Sequence, residues 1–133
     1  MNYLLDTHYM LWTLAETQKL SKKIRDVVTD TENRIIISTI SFWEVSLKAS
    51  IGKLKLEGFS PEDLPDACSQ MGFDIVSLGT GESSSYHNLL ATHHKDPFDR
   101  MLIWLALRND YILISADDHV NKYTSEGLKV LAS

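Results

Sequence analysis

The segment Ile112-Leu113-Ile114-Ser115-Ala116-Asp117, residues 112–117, is the clearest indication of the fold class. It is a short apolar run, rich in β-branched residues, that is followed by an acidic residue. Two similar apolar runs lie earlier in the chain, at residues 3–5 and 34–38. Short runs that alternate with helical stretches indicate an α/β fold with a parallel sheet. At 133 residues the chain has the size of one domain, and we expect a single domain over residues 1–133.

The hydrophobic pattern predicts five strands and seven helices. The strands are expected at residues 3–5, 34–38, 73–78, 111–115 and 128–131, and the helices at residues 7–14, 21–28, 41–51, 61–72, 80–91, 97–109 and 118–123. Ser41 is expected to cap the third helix, which would place Glu44 in its first turn. A sheet that begins with a central strand and winds both ways through right-handed crossovers has the strand order 3-2-1-4-5.

This topology brings four acidic residues to one end of the sheet. Asp6 and Asp117 directly follow strands 1 and 4, which flank the point where the strand order reverses. Glu44 and Asp99 lie near the starts of the helices that follow strand 2 and precede strand 4. We therefore expect all four carboxylates to line one crevice at the carboxyl ends of the strands.

A crevice lined by carboxylates is unfavourable without cations, since each negative charge disfavours the ionisation of its neighbours. Mg²⁺ or Mn²⁺ would relieve this repulsion, because both ions prefer carboxylate and water oxygens. The site could hold one ion or two. Two ions can bind both the attacking and the leaving oxygen when a phosphodiester is cleaved. The secondary candidates are Asp96 as a helix cap or outer acid, Arg100 as the partner of an acid or a phosphate, Ser115 through its hydroxyl, and Thr7 at a helix N-terminus.

Four stretches of the sequence carry a family resemblance. They are Leu4-Leu5-Asp6-Thr7-His8, Ser41-Phe42-Trp43-Glu44-Val45, Asp96-Pro97-Phe98-Asp99-Arg100-Met101-Leu102-Ile103 and Leu113-Ile114-Ser115-Ala116-Asp117. In this order and spacing they resemble the signatures of PIN-domain ribonucleases, and most closely those of VapC-type toxins from type II toxin–antitoxin pairs. The resemblance covers essentially the whole chain, with Ser115 standing where the family usually has threonine.

The resemblance implies a three-layer α/β/α PIN-like fold and an Mg²⁺- or Mn²⁺-dependent endoribonuclease that hydrolyses RNA with a metal-activated water. It implies that Asp6, Glu44, Asp99 and Asp117 are both the metal-binding and the catalytic acids. It further implies a homodimer and a cognate antitoxin protein whose tail occludes the site.

Composition and charge restrict the cellular compartments and the partners that are possible for this protein. The net charge of −5 argues weakly against an unassisted nucleic-acid binder, but it does not exclude an RNA substrate if metal ions neutralise the acids. The longest apolar run is too short to span a membrane, and the first residues do not resemble a signal peptide. With Cys68 as the only cysteine, these features favour a cytoplasmic protein.

Several other residues have plainer interpretations. His93-His94 could suggest zinc, but adjacent histidines without a second ligand pair favour a solvated or capping role, and His8 is equally suited to the site and to a helix surface. Trp12, Trp43 and Trp104 are expected in the core or at a dimer face, and Lys48, Lys53 and Lys55 could track an RNA backbone or form a solvated face.

Three other functions share an acidic crevice. The sequence lacks the acid and lysine of a phosphoacceptor receiver domain at the ends of strands 3 and 5. It also has His8 where an aspartyl phosphatase would carry its second acid. A catalytically silent PIN-like binding or regulatory module remains the alternative to an enzyme.

Overall fold

The computed structural model describes residues 1–90 and 96–131, and its centre is a parallel sheet of five strands. The strands are β1 (Asn2–Leu5), β2 (Arg34–Ser38), β3 (Asp74–Val76), β4 (Ile112–Ile114) and β5 (Lys129–Leu131). Their order across the sheet is β3-β2-β1-β4-β5, and every neighbouring pair is parallel. The predicted strand order is therefore confirmed.

Six α-helices and four 3₁₀ segments connect the strands in the described residues. The α-helices are α1 (Thr7–Ala15), α2 (Lys22–Thr29), α3 (Thr39–Ser50), α4 (Leu64–Gln70), α5 (Thr80–Ser85) and α6 (Pro97–Asn109). The 3₁₀ segments are Thr17–Lys19, Pro61–Asp63, Tyr86–Asn88 and Asp118–Glu126. No helix in residues 1–90 or 96–131 has the length and apolar character needed to cross a membrane.

Side chains of each central strand alternate between two hydrophobic cores, one on each face of the sheet. Tyr3 and Leu5 pack with α1, α2 and α4, whereas Leu4 packs with α6 and the last 3₁₀ segment. Helix α3 lies between the two cores, since its Val45 joins the first and its Ile40 joins the second. This arrangement is the expected three-layer α/β/α architecture.

The register of the two central strands positions the candidate site. Leu5 of β1 pairs with Ile114 of β4 in a parallel ladder. Asp6 and Ser115 therefore leave the sheet side by side, at the edge where ligands bind in open α/β folds.

The start of α3 differs from the prediction. Ser38, not Ser41, caps this helix, because the Ser38 hydroxyl at the end of β2 accepts a 3.1 Å hydrogen bond from the backbone N–H of Ile40. The helix begins at Thr39, so Glu44 lies in its second turn rather than its first. Ser38 is both the last residue of β2 and the N-cap of α3, so no loop separates the strand from the helix.

The predicted helix over residues 80–91 is also shorter in the structure, while Ala91 lies outside the described residues. Helix α5 ends at Ser85 and a 3₁₀ turn follows. The Ser85 hydroxyl donates a 2.7 Å hydrogen bond to the Gly81 carbonyl, and serines that bond to nearby backbone in this way are weak helix formers. The predicted helices over residues 61–72 and 118–123 likewise contain 3₁₀ segments.

Candidate acidic active site

Asp6 joins the ends of the two central strands. It is the N-cap of α1, where Oδ1 accepts a 2.8 Å hydrogen bond from the backbone N–H of Tyr9. Its Oδ2 accepts a 3.1 Å hydrogen bond from the backbone N–H of Ala116, just beyond β4. The carboxylate is only 6% exposed, so both oxygens have protein donors in a nearly dry environment.

Burial raises the pKa of Asp6 above its ordinary value of 3.8. The hydrogen bonds from Tyr9, Ala116 and Ser115, together with the charge of His8, oppose this rise without cancelling it. Because the ionised form is disfavoured by desolvation, a cation at Asp6 would stabilise it. A buried carboxylate with a raised pKa at the switch point of the sheet is typical of a functional site.

Glu44 is held by a hydroxyl group of the neighbouring helix α1. The Thr7 hydroxyl donates a 2.6 Å hydrogen bond to Glu44 Oε1, and Thr7 Oγ1 also lies 3.1 Å from Ser41 Oγ. Thr7 has one hydroxyl proton, which the carboxylate takes in the shorter, charge-assisted bond, so Ser41 supplies the proton of the other contact. All three side chains are buried, and the position of Glu44 is therefore set by α1 and by its own helix.

Lys48 is a functional candidate that the sequence analysis did not place in the site. It lies one turn after Glu44, forms an ion pair with Glu44 Oε2 and is only about one-third exposed. The hydrogen bond to Glu44 raises the pKa of Lys48 despite partial burial, with further contributions from the charges of Glu44, Asp96 and Asp99. The i,i+4 spacing from Glu44 was the available signal in the sequence.

Asp96 and Asp99 stand at the start of α6. Asp96 is the predicted N-cap, and its Oδ1 accepts hydrogen bonds from the backbone N–H groups of Phe98 at 2.8 Å and Asp99 at 3.4 Å. Asp99 is half-buried in the first turn of the same helix. Helix α6 packs against α3, and the charges of both acids contribute to the raised pKa of Lys48 on that helix.

Asp117 lies three residues after the end of β4 and is partly exposed. Its Oδ1 accepts a 2.8 Å hydrogen bond from the backbone N–H of His119 and lies 3.2 Å from His119 Nδ1. The Ser115 hydroxyl accepts a 3.1 Å hydrogen bond from the backbone N–H of Asp117. Ser115 therefore shapes the turn that carries Asp117, and it also interacts with Asp6.

Hydrogen bonds connect three of the predicted acids to one another's surroundings. Asp6 contacts the turn of Asp117 and its neighbour Thr7 contacts Glu44, while Asp99 lies at the start of α6, which packs against the helix of Glu44. Within residues 1–90 and 96–131, however, no three His, Cys, Asp or Glu side chains are grouped closely enough to hold a metal ion. The donor set of carboxylates and hydroxyls still has the hard-oxygen chemistry that Mg²⁺ and Mn²⁺ prefer, so the residues fit such an ion.

Arg100 serves the packing around α6 in its described contacts. Its guanidinium donates to the Tyr86 hydroxyl at 2.9 Å, to the Tyr123 hydroxyl at 3.3 Å and to the Leu89 carbonyl at 2.8 Å. It therefore ties the segment after α5 and the last 3₁₀ segment to α6. The partners in these three contacts are neutral oxygens.

The remaining candidates are peripheral. His8 is exposed, and its ring centroid lies 5.9 Å from that of Trp12. Lys53 and Lys55 are also exposed. Trp43 is 69% exposed, which excludes the core for this residue and leaves the dimer face as the expected position. His93 and His94 lie outside the described residues.

An apolar groove opens beside the acidic edge, between α3 and the start of α6. It has a volume of about 450 Å³ and is lined by Thr39, Ile40, Trp43, Leu47, Leu78, Phe98 and Met101. Trp43 and Leu47 are exposed and lie on the same face of α3. Exposed apolar side chains of this size on one helix face mark a surface suited to a protein partner.

Comparisons with known proteins agree on the fold. Three solved structures are similar over 99% of this chain and 98% of theirs, each with a TM-score of 0.68: VapBC2 of Rickettsia felis bound to promoter DNA, VapBC-1 of nontypeable Haemophilus influenzae, and DNA-bound VapBC of Salmonella typhimurium. Their sequence identities are 15%, 17% and 15%, respectively, so they establish the fold alone. No curated protein sequence matches the chain. A family model described as PIN domain matches residues 3–125, and the chain belongs to the PIN domain family.

Proposed function

We propose that this PIN domain is an Mg²⁺- or Mn²⁺-dependent endoribonuclease and the toxin of a toxin–antitoxin pair. The observation that carries the proposal is the Asp6 carboxylate, buried at the switch point of the sheet and bonded to the turn that leads to Asp117. PIN family membership and the likeness to VapBC structures support the same conclusion.

Asp6, Glu44, Asp99 and Asp117 are the residues that would hold the ion or ions. When bound, Mg²⁺ or Mn²⁺ would supply an activated water and neutralise charge on the phosphodiester. This chemistry needs no serine, cysteine or lysine nucleophile. The chain itself then has to position its carboxylates and to limit water around them.

The described hydrogen bonds account for this positioning. The Thr7 hydroxyl holds one oxygen of Glu44, while two backbone N–H groups hold those of Asp6. Partners that orient carboxylate ligands in this way raise metal affinity and preserve ligand geometry. Ser115 has the same role for the turn that carries Asp117.

An antitoxin protein is the partner that we propose, and a homodimer is the assembly. The apolar groove defined above lies next to the acidic edge, so an antitoxin segment that enters it would reach the carboxylates with its basic residues. The similar solved structures are of VapBC, which supports a partner of this kind. A free buried thiol at Cys68 suits the reducing cytoplasm, where we place the protein.

A second candidate function is a catalytically silent PIN-like binding or regulatory module. It is favoured by the ion pair of Glu44 with Lys48 and by the lack of a three-ligand cluster within the described residues. The two candidates differ in whether RNA is cut when a divalent ion is added.

Cleavage of RNA by the metal-stripped full-length protein tests the proposal. Total RNA should be cleaved after Mg²⁺ or Mn²⁺ is added and protected when EDTA is present. Asp99→Asn serves as the site variant, and Asp26→Asn, on the exposed face of α2, serves as the matched control. Intact RNA with the wild-type protein and either ion would reject the nuclease and favour the silent module.

A further inference from the structure

Lys48 occupies an unusual place for a lysine. Most lysines of the chain are exposed, as in the surface pair of Lys22 and Asp26, whose side chains are 89% and 63% exposed. The Lys48–Glu44 pair has the same i,i+4 spacing, but its side chains are 34% and 5% exposed. The Lys48 ammonium group is thus paired with a buried carboxylate and is partly shielded from solvent.

The negative charges of three acidic residues act on this ammonium group. Glu44 Oε2 is its direct partner, and Asp96 and Asp99 interact with it across the gap between α3 and α6. Glu44 and Asp99 are both predicted metal ligands. A positive charge among them acts on the same carboxylates that a divalent cation would use.

The two carboxylate oxygens of Glu44 have different partners. Oε1 receives the Thr7 hydroxyl, which is neutral, whereas Oε2 receives the charged ammonium group. A metal ion bound through Oε2 would either share this oxygen with Lys48 or displace the ammonium group. Sharing places two cations close together, and displacement breaks the ion pair, so each alternative carries an electrostatic cost to metal binding.

We propose that Lys48 is a built-in cation of the crevice that competes with divalent metal ions for Glu44 and Asp99 and so weakens metal binding in the free protein. This inference rests on the proposed function, because it concerns the same metal site. It makes Lys48 a positioning residue, which holds Glu44 in place and balances the acids while no metal is bound.

Titration of Mn²⁺ into the metal-stripped full-length protein, followed by isothermal calorimetry, tests the proposal without any activity measurement. Lys48→Met keeps the length of the side chain and removes its charge, and it should bind Mn²⁺ at least about tenfold more tightly than wild type, as expected for removal of one nearby elementary charge. Lys48→Arg keeps the charge and should retain the wild-type affinity. Lys22→Met removes the exposed i,i+4 pair and serves as the matched control.

The outcomes separate the two proposals. Equal or weaker Mn²⁺ binding by Lys48→Met, with wild-type binding intact, would overturn the role of Lys48 and leave the nuclease proposal standing. No Mn²⁺ binding by wild type would overturn both. Circular dichroism melting checks that each variant is folded, and Lys48→Gln takes the place of Lys48→Met if that variant does not fold, with the same expected gain in affinity.

Discussion

The carboxylate of Asp6 accepts a 3.1 Å hydrogen bond from the backbone N–H of Ala116, a residue 110 positions later in the chain. The parallel pairing of Leu5 with Ile114 brings the two together. Because the other oxygen of Asp6 caps α1, this side chain supports the fold and also offers a buried candidate metal ligand. Substitutions at the site therefore have to be tested for stability as well as for cleavage.

The four predicted ligands should act as a set. Glu44→Gln, Asp99→Asn and Asp117→Asn keep the shape of each side chain and remove its charge, so each should lower RNA cleavage at least about 100-fold. Double variants should lose little more than single ones, since the groups form one unit. Initial cleavage rates of a labelled RNA with Mn²⁺ check this. A near-normal rate for Asp99→Asn would remove that residue from the site.

Metal-free stability should depend on the ionisation of Asp6. Burial raises its pKa in the folded state above the ordinary value of 3.8, so the folded protein disfavours the charge. The stability that protonated Asp6 contributes is therefore fully present below the pKa of this group in the unfolded chain. It is lost as pH rises through the raised pKa of Asp6 in the folded protein. The gain in melting temperature on replacing EDTA with Mn²⁺ should grow between pH 4 and pH 8. A gain that stays constant over this range would contradict the prediction.

Loss of the Thr7 hydroxyl should lower the stability of the fold, whereas loss of the Thr13 hydroxyl in the same helix should not. Thr7→Val leaves buried Glu44 without its 2.6 Å donor and should destabilise the fold by about 1–3 kcal/mol. It should also weaken Mn²⁺ binding about 10–100-fold. Thr13 is buried too, but its hydroxyl has no hydrogen-bond partner within residues 1–90 and 96–131.

Thr13→Val is therefore the matched control for Thr7→Val. It should leave stability unchanged or increase it, because no hydrogen bond within the described structure is lost. Urea unfolding of both variants provides the comparison. Similar losses of stability in the two variants would mean that the bond to Glu44 contributes nothing specific.

The apolar groove should bind the antitoxin. Leu47→Glu places a charge on its exposed wall and should weaken antitoxin binding by at least about tenfold while RNA cleavage by the free protein is retained. Met71→Glu, at another exposed apolar residue, should bind the antitoxin normally. Affinity measurements and sizing chromatography test both variants. Normal antitoxin binding with a changed oligomeric state would assign the groove to the dimer interface instead.

The Cys68 thiol should be inert in the native protein. Burial raises its pKa from 9.0 to about 11, which leaves about 100-fold less thiolate at neutral pH, and the side chain is 0% exposed. Alkylation by iodoacetamide at pH 8 should therefore be slow in buffer and fast in denaturant. Rapid alkylation of the native protein would show that the core around α4 opens readily.

The sequence by itself determined the elements and their order. Apolar runs at residues 3–5, 34–38 and 112–114 could be recognised as strands because residues of both faces are buried, and the handedness of their crossovers then set the strand order. Asp96 was predictable as a cap, since capping depends on local sequence. The same local reasoning failed at Ser41, where the preceding strand ends one residue before the helix and Ser38 takes the capping position.

Only the tertiary structure decided how the acids are held. The bond from Ala116 to Asp6 depends on the register of β1 against β4, and the bond from Thr7 to Glu44 depends on the packing of α1 against α3. The i,i+4 spacing allows Lys48 to reach Glu44, but its interaction with Asp99 requires α6 to lie across from α3. Spacing along one helix is a local property, whereas distances between helices follow from how the two cores pack, which no single stretch of sequence contains.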